Sequence, residues 1–202
     1  MSHYYSPNPH LPHEKTVIEY TVEGRRLRFV TDAGVFSRQK VDYGSSVLIR
    51  TLPPLTGEVL DLGCGYGPIG IVAATLVGPK GKVCMVDVNE RACELARENL
   101  AKNEIKNAQV FVGDGVKALP ASCGFDVVLS NPPIRAGKSV FYPLLAEAFD
   151  ALKPGGCLFV VIRTKQGAKS LATYLKELAG ACDTIAKKAG FRILKCCKQL
   201  HT

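Results

Sequence analysis

From Glu58 onward, short apolar runs alternate with longer amphipathic stretches. The short runs, rich in Val, Ile and Leu, are 58–62, 83–87, 109–112, 125–129 and 157–163. The longer stretches between and after them are 67–77, 89–103, 138–152 and 166–178. Short apolar runs are typical of buried parallel strands, and the longer stretches are typical of helices that cross over between them. This alternation predicts an α/β fold built on a mostly parallel sheet.

Segments on both sides of the alternating region complete the predicted fold. Residues 16–22 and 25–31 are β-rich and predict a short N-terminal β-hairpin, and a helix is predicted over 43–50. At the other end, residues 182–188 and 191–198 predict a C-terminal antiparallel hairpin. The main sheet then has seven strands.

A single domain is expected over residues 1–202, because about 200 residues bury one sizeable core. It divides into an N-terminal arm over 1–15, the hairpin and helix over 16–57, and a Rossmann-like core over 58–202.

The charge and the histidines narrow the function classes. A formal net charge of +8 favours attraction to a polyanion. The four histidines all lie near the termini, which argues against a Ser/His/Asp triad and hence against most hydrolases. No apolar run reaches the roughly 20 residues of a membrane-spanning helix, and the first residues do not resemble a secretory signal. We therefore expect a cytoplasmic protein without membrane contact.

The eight cysteines are scattered, without a CxxC pair or a nearby histidine that would complete a metal site. We expect no metal and free, reduced thiols, with Cys196 and Cys197 on opposite faces of one strand.

A glycine-rich turn follows the first core strand in the segment VLDLGCGYG, residues 59–67. Gly63, Gly65 and Gly67 let the backbone turn tightly into a helix whose N-terminus offers free N–H groups to a ligand. Residues 65–70 also match the dinucleotide pattern GxGxxG, although that match alone is weak. Asp61 favours another ligand, because a carboxylate there would face the ammonium of a methionine moiety but would repel a pyrophosphate.

Two more acidic residues end the next strands. Asp87, followed by Val88, is expected to accept hydrogen bonds from ribose hydroxyls. Asp114, followed by Gly115, is expected at the same edge, because ligands of such sheets bind outside the carboxyl ends of the strands.

The fourth strand ends in Asn131-Pro132-Pro133-Ile134. Two consecutive prolines make this turn stiff and fix the direction of its carbonyl groups. The Asn131 side-chain oxygen and the Pro132 carbonyl are each suited to accept one N–H of an exocyclic amine or amide. That would aim the nitrogen lone pair at a methyl donor, so that catalysis comes from positioning and electrostatics.

With these motifs in order, the chain resembles class I S-adenosylmethionine-dependent methyltransferases from Glu58 to Lys198. The segments HYYSPNP at 3–9, TDAGVFSRQKVDYGS at 31–45 and SNPPIRAGK at 130–138 are similar to the small-domain family that includes the bacterial 16S rRNA guanine-N2 methyltransferases. The resemblance implies S-adenosylmethionine as cofactor and a guanine amine of the small ribosomal subunit as acceptor. It further implies that Phe36, Ser37 and Gly44 line the cofactor or substrate site. Asn131 is expected both to bind the cofactor and to act in catalysis.

Three basic residues flank this expected site. Arg38, Arg135 and Lys138 are predicted to hold phosphates around an extruded base. The partner would be ribosomal RNA or the small subunit, with the protein acting as a monomer or a homodimer.

Three alternatives stay open. A protein glutamine N5-methyltransferase would use the same fold, although Ile134 lacks the aromatic ring that often stacks on that target and the basic charge weighs against it. An NAD(P)-dependent oxidoreductase needs a hydride-transfer acid or base that we do not find. A non-catalytic RNA-binding module would bind RNA without turnover.

Overall fold

The computed structural model describes residues 12–200, so most of the predicted N-terminal arm, including the HYYSPNP segment, lies outside the described residues. The described chain begins with the predicted hairpin, strands β1 (Thr16–Val22) and β2 (Arg25–Thr31). This hairpin forms a separate two-stranded sheet, and it buries Leu27 and Phe29 against the main body.

The main sheet has seven strands in the spatial order β5-β4-β3-β6-β7-β9-β8. They are β3 (Glu58–Leu62), β4 (Lys82–Asp87), β5 (Ala108–Val112), β6 (Phe125–Ser130), β7 (Leu152–Arg163), β8 (Asp183–Lys188) and β9 (Phe191–Cys197). Strands β3 to β7 pair in parallel, whereas β9 runs antiparallel to both β7 and β8. The predicted mostly parallel sheet with a closing antiparallel hairpin is confirmed.

Within residues 12–200, five helices cover the sheet on its two faces. They are α1 (Tyr43–Thr51), α2 (Pro68–Leu76), α3 (Glu90–Lys102), α4 (Lys138–Asp150) and α5 (Ala168–Ala179). One buried cluster joins α1, α2, α3 and the N-terminal hairpin, and a second cluster joins α4 and α5. Burial on both faces explains why the sheet strands are near-continuous apolar runs. No helix among residues 12–200 combines the length and apolarity needed to cross a membrane.

The structure differs from the predicted element boundaries in two ways. Strand β7 begins at Leu152 rather than at 157, because the Lys153-Pro154-Gly155-Gly156 segment stays within the strand as an irregularity in its pairing with β6. Three short 3-10 helices follow β5, β6 and β7; they are Gly115–Ala118, Ile134–Ala136 and Thr164–Gln166. All three lie beyond carboxyl strand ends, where parallel sheets place ligands.

The Asn99 side chain ties the N-terminal hairpin to the core. It is fully buried, accepts from the Val30 N–H at 2.6 Å and donates to the carbonyls of Val30 and Tyr66, both at 2.9 Å. A buried amide with these partners fixes the position of β2 relative to the glycine-rich turn. The sequence pattern of α3 marks Asn99 only as a polar residue in a helix.

The expectation that all cysteines are free thiols is wrong for one pair. Cys157 and Cys197 form a disulfide, with Cα atoms 4.0 Å apart. Antiparallel pairing of β7 and β9 places these two residues directly opposite each other, a register that the sequence does not reveal. The other six cysteines are free, and Cys196 is buried while its neighbour Cys197 is partly exposed, as expected for opposite faces of a strand.

The disulfide predicts how many thiols can be titrated in the purified protein. Protein that is purified and denatured without reductant is expected to give six titratable thiols per chain, and eight after reduction. Replacing both cysteines with serine should lower the free energy of unfolding by about 4 kcal/mol for a bridge of 40-residue separation. Cys182→Ser, at a free and partly buried thiol, serves as the control. Eight thiols without reductant would contradict the pairing.

Candidate active site

A cavity of about 430 Å³ opens at the carboxyl ends of the parallel strands. The ends of β3, β4 and β6, the loop after β5 and residues before and at the start of α1 all contribute to its walls. The predicted residues that line it are Phe36, Ser37, Gly63, Gly65, Asp87, Val88, Asp114, Gly115, Asn131, Pro132, Pro133, Ile134 and Arg135. The other five predicted residues are not part of this wall; they are Arg38, Gly44, Asp61, Gly67 and Lys138.

The glycine-rich turn is held by the neighbouring strand. The N–H groups of Gly63 and Cys64 donate to the Val86 carbonyl at 2.9 and 3.0 Å, and the Gly65 N–H donates to the Asp87 carboxylate at 2.8 Å. Gly63 and Gly65 have φ angles of 74° and 56°, and Gly67, which caps α2, has 96°. This left-handed backbone favours glycine, and it brings the turn close enough to a ligand for main-chain contacts.

Asp61 lies buried beneath this turn. Its Oδ2 accepts from the Gly70 N–H at 2.7 Å, whereas its Oδ1 is buried and has no hydrogen-bond partner among the described residues. Burial, and secondarily the charge of Asp87, raises the pKa of the Asp61 carboxyl to about 7. A buried carboxylate oxygen without a donor is suited to a cationic group that binds above the turn.

Asp87 lies at the carboxyl end of β4 in the cavity wall. Its Oδ1 accepts from the Asn89 N–H at 2.9 Å, while Oδ2 accepts from Gly65. Burial raises the pKa of Asp87, although these backbone hydrogen bonds partly offset the effect. Asp87 thereby shapes the turn as well as presenting carboxylate oxygens to the cavity.

The Asn131-Pro132-Pro133-Ile134 segment forms the opposite wall. The Asn131 side-chain NH₂ donates to Asp42 Oδ2 and to Ser45 Oγ, both at 3.0 Å. The Pro132 carbonyl already accepts from the Ile134 N–H at 2.8 Å, which closes a tight turn around Pro133. A carbonyl oxygen has two lone pairs, so Pro132 keeps one for a substrate N–H.

Residues before and within α1 also shape the site. Phe36 is 48% exposed at the cavity wall, and the Ser37 carbonyl accepts from the Tyr66 hydroxyl at 3.4 Å. Gly44 does not line the cavity in this structure, but it has a packing role beside it. A Cβ there would lie 2.8 Å from the Phe191 ring and 2.9 Å from the Asp42 carboxylate, so glycine allows both to pack closely.

Gly44→Ala is therefore expected to displace Asp42 from Asn131 and to lower turnover by about 10²-fold, the cost of misplacing a group by about 1 Å. Single-turnover methyl transfer measures this. Gly124→Ala is the control, since its Cβ would meet only the flexible Lys153 side chain, at 3.3 Å. Equal turnover in both variants would show that close packing at Gly44 is unimportant.

The three predicted phosphate-binding residues separate in the structure. Arg135 lines the cavity. Arg38 instead pairs with the Glu14 carboxylate at 2.7 Å and donates to the Glu14 carbonyl at 2.9 Å. Lys138 donates to Ser170 Oγ at 2.8 Å. Arg135 is the one that the structure brings to the cavity.

Several cavity residues were not predicted from sequence. They are Gly34, Asp42, Ser45, Tyr66, Arg163, Gln166 and Phe191, among others. Asp42 carries a detectable signal, because an aspartate before a helix is a typical N-cap. Arg163 and Gln166 follow the carboxyl end of β7, so the rule that ligands bind at these strand ends applies to them too. Within residues 12–200, no group of three or more His, Cys, Asp or Glu side chains is arranged to hold a metal ion.

Comparison with known proteins agrees with this geometry. The chain is 39% identical over 195 residues to the uncharacterised protein YbxB of Bacillus subtilis (strain 168), covering 96% of each chain. It is 35% identical to the ribosomal RNA large subunit methyltransferase G of Streptomyces avermitilis, covering 83% of this chain and 44% of the relative.

Among solved structures, the chain resembles a T. Thermophilus 16S rRNA N2 methyltransferase, RsmC, in complex with AdoMet and guanosine. The TM-score is 0.83 at 28% identity, covering 94% of this chain and 52% of that one. The chain thus spans about half the length of these two rRNA methyltransferases. The methyltransferase small domain family matches residues 26–195. The sheet order agrees with this match, and so does the cavity shared by the glycine-rich turn and the Asn-Pro-Pro segment. This chain belongs to the methyltransferase small domain family.

Proposed function

We propose that this protein transfers a methyl group from S-adenosylmethionine to the exocyclic N2 amine of a guanine in 16S ribosomal RNA. The observation that carries the proposal is the shared cavity of the glycine-rich turn and the Asn131-Pro132-Pro133 segment. The neighbour bound to AdoMet and guanosine supports both the cofactor and the base.

The cofactor side of the cavity is the part beside β3, β4 and β5. Asp61 lies just beneath the wall, and its Oδ1, which has no hydrogen-bond partner among residues 12–200, is suited to the ammonium. The Asp87 carboxylate, in the wall itself, is suited to the ribose hydroxyls. Val88, Asp114 and Gly115 also line this side of the cavity and are assigned to the adenine portion in this proposal. When bound, S-adenosylmethionine supplies an electrophilic methyl group on a sulfonium.

The acceptor side is the wall formed by residues 131–135. Asn131 Oδ1 and the Pro132 carbonyl accept the two N–H groups of the amine and direct its lone pair toward the methyl donor. Their dipoles also stabilise the positive charge that develops on nitrogen as the N–CH₃ bond forms and the S–CH₃ bond of the sulfonium breaks. The leaving group would be S-adenosylhomocysteine, and the methylated nitrogen would lose its extra proton to water. Ile134 provides an apolar contact to the base, and Pro133 keeps the turn rigid.

Charge supports an RNA acceptor over a protein one. Arg135 and Arg163 both line the cavity, and the chain carries 26 Lys plus Arg against 18 Asp plus Glu. Cationic side chains around an extruded base are suited to flanking phosphates. A ribosomal RNA target implies a cytoplasmic protein.

The large subunit is a second candidate acceptor, favoured by the 35% identity to a large-subunit methyltransferase. The test is therefore tritiated methyl transfer to small and large ribosomal subunits that lack native methylation, with release factor as a parallel acceptor. The labelled nucleoside is then identified by chromatography, and Asn131→Ala serves as the inactive control.

Label recovered as N2-methylguanosine from the small subunit is the expected result. The same nucleoside from the large subunit would change the target RNA and keep the chemistry. Label only in release factor would replace guanine with a glutamine amide as acceptor. S-adenosylmethionine binding without transfer to any of the three would overturn all of these acceptors.

A further inference from the structure

The Asn131 amide can face the cavity in two orientations, related by a flip that exchanges its oxygen and nitrogen. Only one orientation presents the oxygen, which the proposed transfer requires. The structure holds the NH₂ group against the start of α1, where it donates to Asp42 and Ser45. These partners are 89 and 86 residues away in sequence.

Asp42 decides the orientation because a carboxylate only accepts hydrogen bonds. A flipped amide would place the Asn131 oxygen against Asp42 Oδ2 at the 3.0 Å contact distance, with two acceptors facing each other. The Ser45 hydroxyl is less decisive, since it can both donate and accept. With both amide hydrogens engaged, the oxygen is the group left for the substrate.

The Asp42 carboxylate is itself fixed by the helix that it caps. Asp42 Oδ2 accepts from the Ser45 N–H at 3.1 Å, and the Asp42 carbonyl accepts from the Ser46 N–H at 2.9 Å. The missing Cβ of Gly44 leaves room for the carboxylate in this position. The start of α1 therefore sets the position of Asp42, and Asp42 sets the orientation of Asn131.

The contact also affects the strength of the acceptor. A negative charge at the N–H side of an amide polarises it toward its oxygen, and hydrogen bonds in such a chain strengthen one another. The Asn131 oxygen then holds the amine N–H more strongly as positive charge develops on the nitrogen.

We infer that Asp42, assisted by Ser45, is a positioning residue that locks the Asn131 amide with its oxygen toward the acceptor amine. The inference rests on the proposed function, since it concerns how that amine is held. It adds a residue from the N-terminal segment to a site otherwise built from strand ends.

Two substitutions at one position separate this role from helix capping. Serine and asparagine cap helices about as well as aspartate. The side chain introduced by Asp42→Ser is too short to reach Asn131. The side chain introduced by Asp42→Asn keeps an oxygen that can accept from both the Asn131 NH₂ and the Ser45 N–H. We expect Asp42→Ser to lower kcat by about 10-fold to 10²-fold, with both KM values unchanged. Asp42→Asn should restore kcat to within about threefold of wild type, and Ser45→Ala should lose several-fold at most.

A double variant tests whether Asp42 acts through Asn131. In the Asn131→Ala background, adding Asp42→Ser is expected to cost nothing further in single-turnover rate, because the amide that it orients is gone. Equal kcat for Asp42→Ser and wild type would overturn the inference. Independent, multiplicative losses in the double variant would overturn it as well.

A second measurement does not depend on the acceptor. The side-chain NH₂ resonances of Asn131 in ¹⁵N-labelled protein are assigned by their loss in Asn131→Ala. Slow hydrogen exchange of this group is expected in wild type and Asp42→Asn, and fast exchange in Asp42→Ser. Fast exchange in wild type, or no change in Asp42→Ser, would refute the lock. Wild type that methylates no RNA but shows the protected amide would instead refute only the proposed acceptor.

Discussion

Replacing Asn131 with alanine is expected to lower methyl transfer by about 10²-fold to 10³-fold, the cost of removing one preorganised polar group from a transition state. The loss should appear in kcat, because the interaction strengthens only as charge develops on the nitrogen. Cofactor affinity should stay within about twofold of wild type, since the proposed function assigns S-adenosylmethionine to the glycine-rich turn, whereas the Asn131 amide bonds Asp42 and Ser45. Single-turnover transfer and equilibrium binding measure the two quantities separately.

Two further variants sharpen this test. Asn131→Asp has nearly the same shape but would place one carboxylate against Asp42, so it should be at least as inactive as the alanine variant. Asn103→Ala is the control, because the Asn103 amide bonds only backbone groups in these contacts, those of Arg28 on the N-terminal hairpin, and Asn103 does not line the cavity. Turnover by Asn131→Ala that equals that of Asn103→Ala would exclude the proposed role.

The second large effect is a pH dependence caused by Asp61. Burial raises its pKa from the ordinary value of 3.8 to about 7. Between these values the folded protein keeps a proton that the unfolded chain releases. The free energy of unfolding therefore falls as pH rises through this window, and the loss is complete above the folded pKa.

The Asp61→Asn variant has no titrating group at position 61. Comparing it with wild type therefore separates the effect of Asp61 from that of Asp87, whose raised pKa also makes the free energy of unfolding fall as pH rises. Between pH 5 and 8, the difference in unfolding free energy between wild type and Asp61→Asn should change by about 3 kcal/mol. Urea unfolding at several pH values measures it. A constant difference across this range would show that Asp61 is ionised throughout.

Asp126→Asn provides a control of opposite sign. Burial raises the pKa of Asp126, but hydrogen bonds from the Glu58 N–H and Lys153 outweigh this, and the pKa is lowered overall. Its stabilising contribution is present above the ordinary pKa and is lost only in stronger acid. The Asp126→Asn variant should therefore differ from wild type by a constant amount between pH 5 and 8.

If Asp61 binds the ammonium of S-adenosylmethionine, cofactor affinity should depend on the ionisation of the Asp61 carboxyl group. A cation favours ionised Asp61, so binding at pH 6 releases a proton and the Kd should decrease as pH rises toward 7. Asp61→Asn should bind at least tenfold more weakly, the cost of losing a charged hydrogen-bond partner, and without this pH dependence. Isothermal titration in two buffers of different ionisation enthalpy measures the released proton directly.

Much of the fold is encoded locally. Short β-rich or apolar runs and longer amphipathic stretches identified the hairpin, the parallel strands and the closing antiparallel pair from residues close together in the chain. Parallel strands must place their carboxyl ends together, so the sequence predicts that Asp61, Asp87 and Asp114 converge on one cavity. Asp87 and Asp114 line it, whereas Asp61 lies fully buried beneath the glycine-rich turn.

Contacts between distant segments could not be read in this way. Whether Cys157 faces Cys197 depends on strand register, and whether Asn99 bonds Val30 depends on how the hairpin packs on α3. Arg38 and Lys138 flank the site in sequence, yet their partners lie elsewhere because long basic side chains bond to the nearest acceptor in space.

The α/β fold, the glycine-rich turn and the Asn-Pro-Pro wall are encoded in local sequence, because they depend on the spacing of apolar residues and on the backbone preferences of glycine and proline. The direction of the Asn131 amide is instead set by tertiary contacts, since it depends on Asp42, a helix cap 89 residues earlier in the chain. Hydrogen-bond partners at such separation are brought together by packing, and packing leaves no local pattern in the residues themselves.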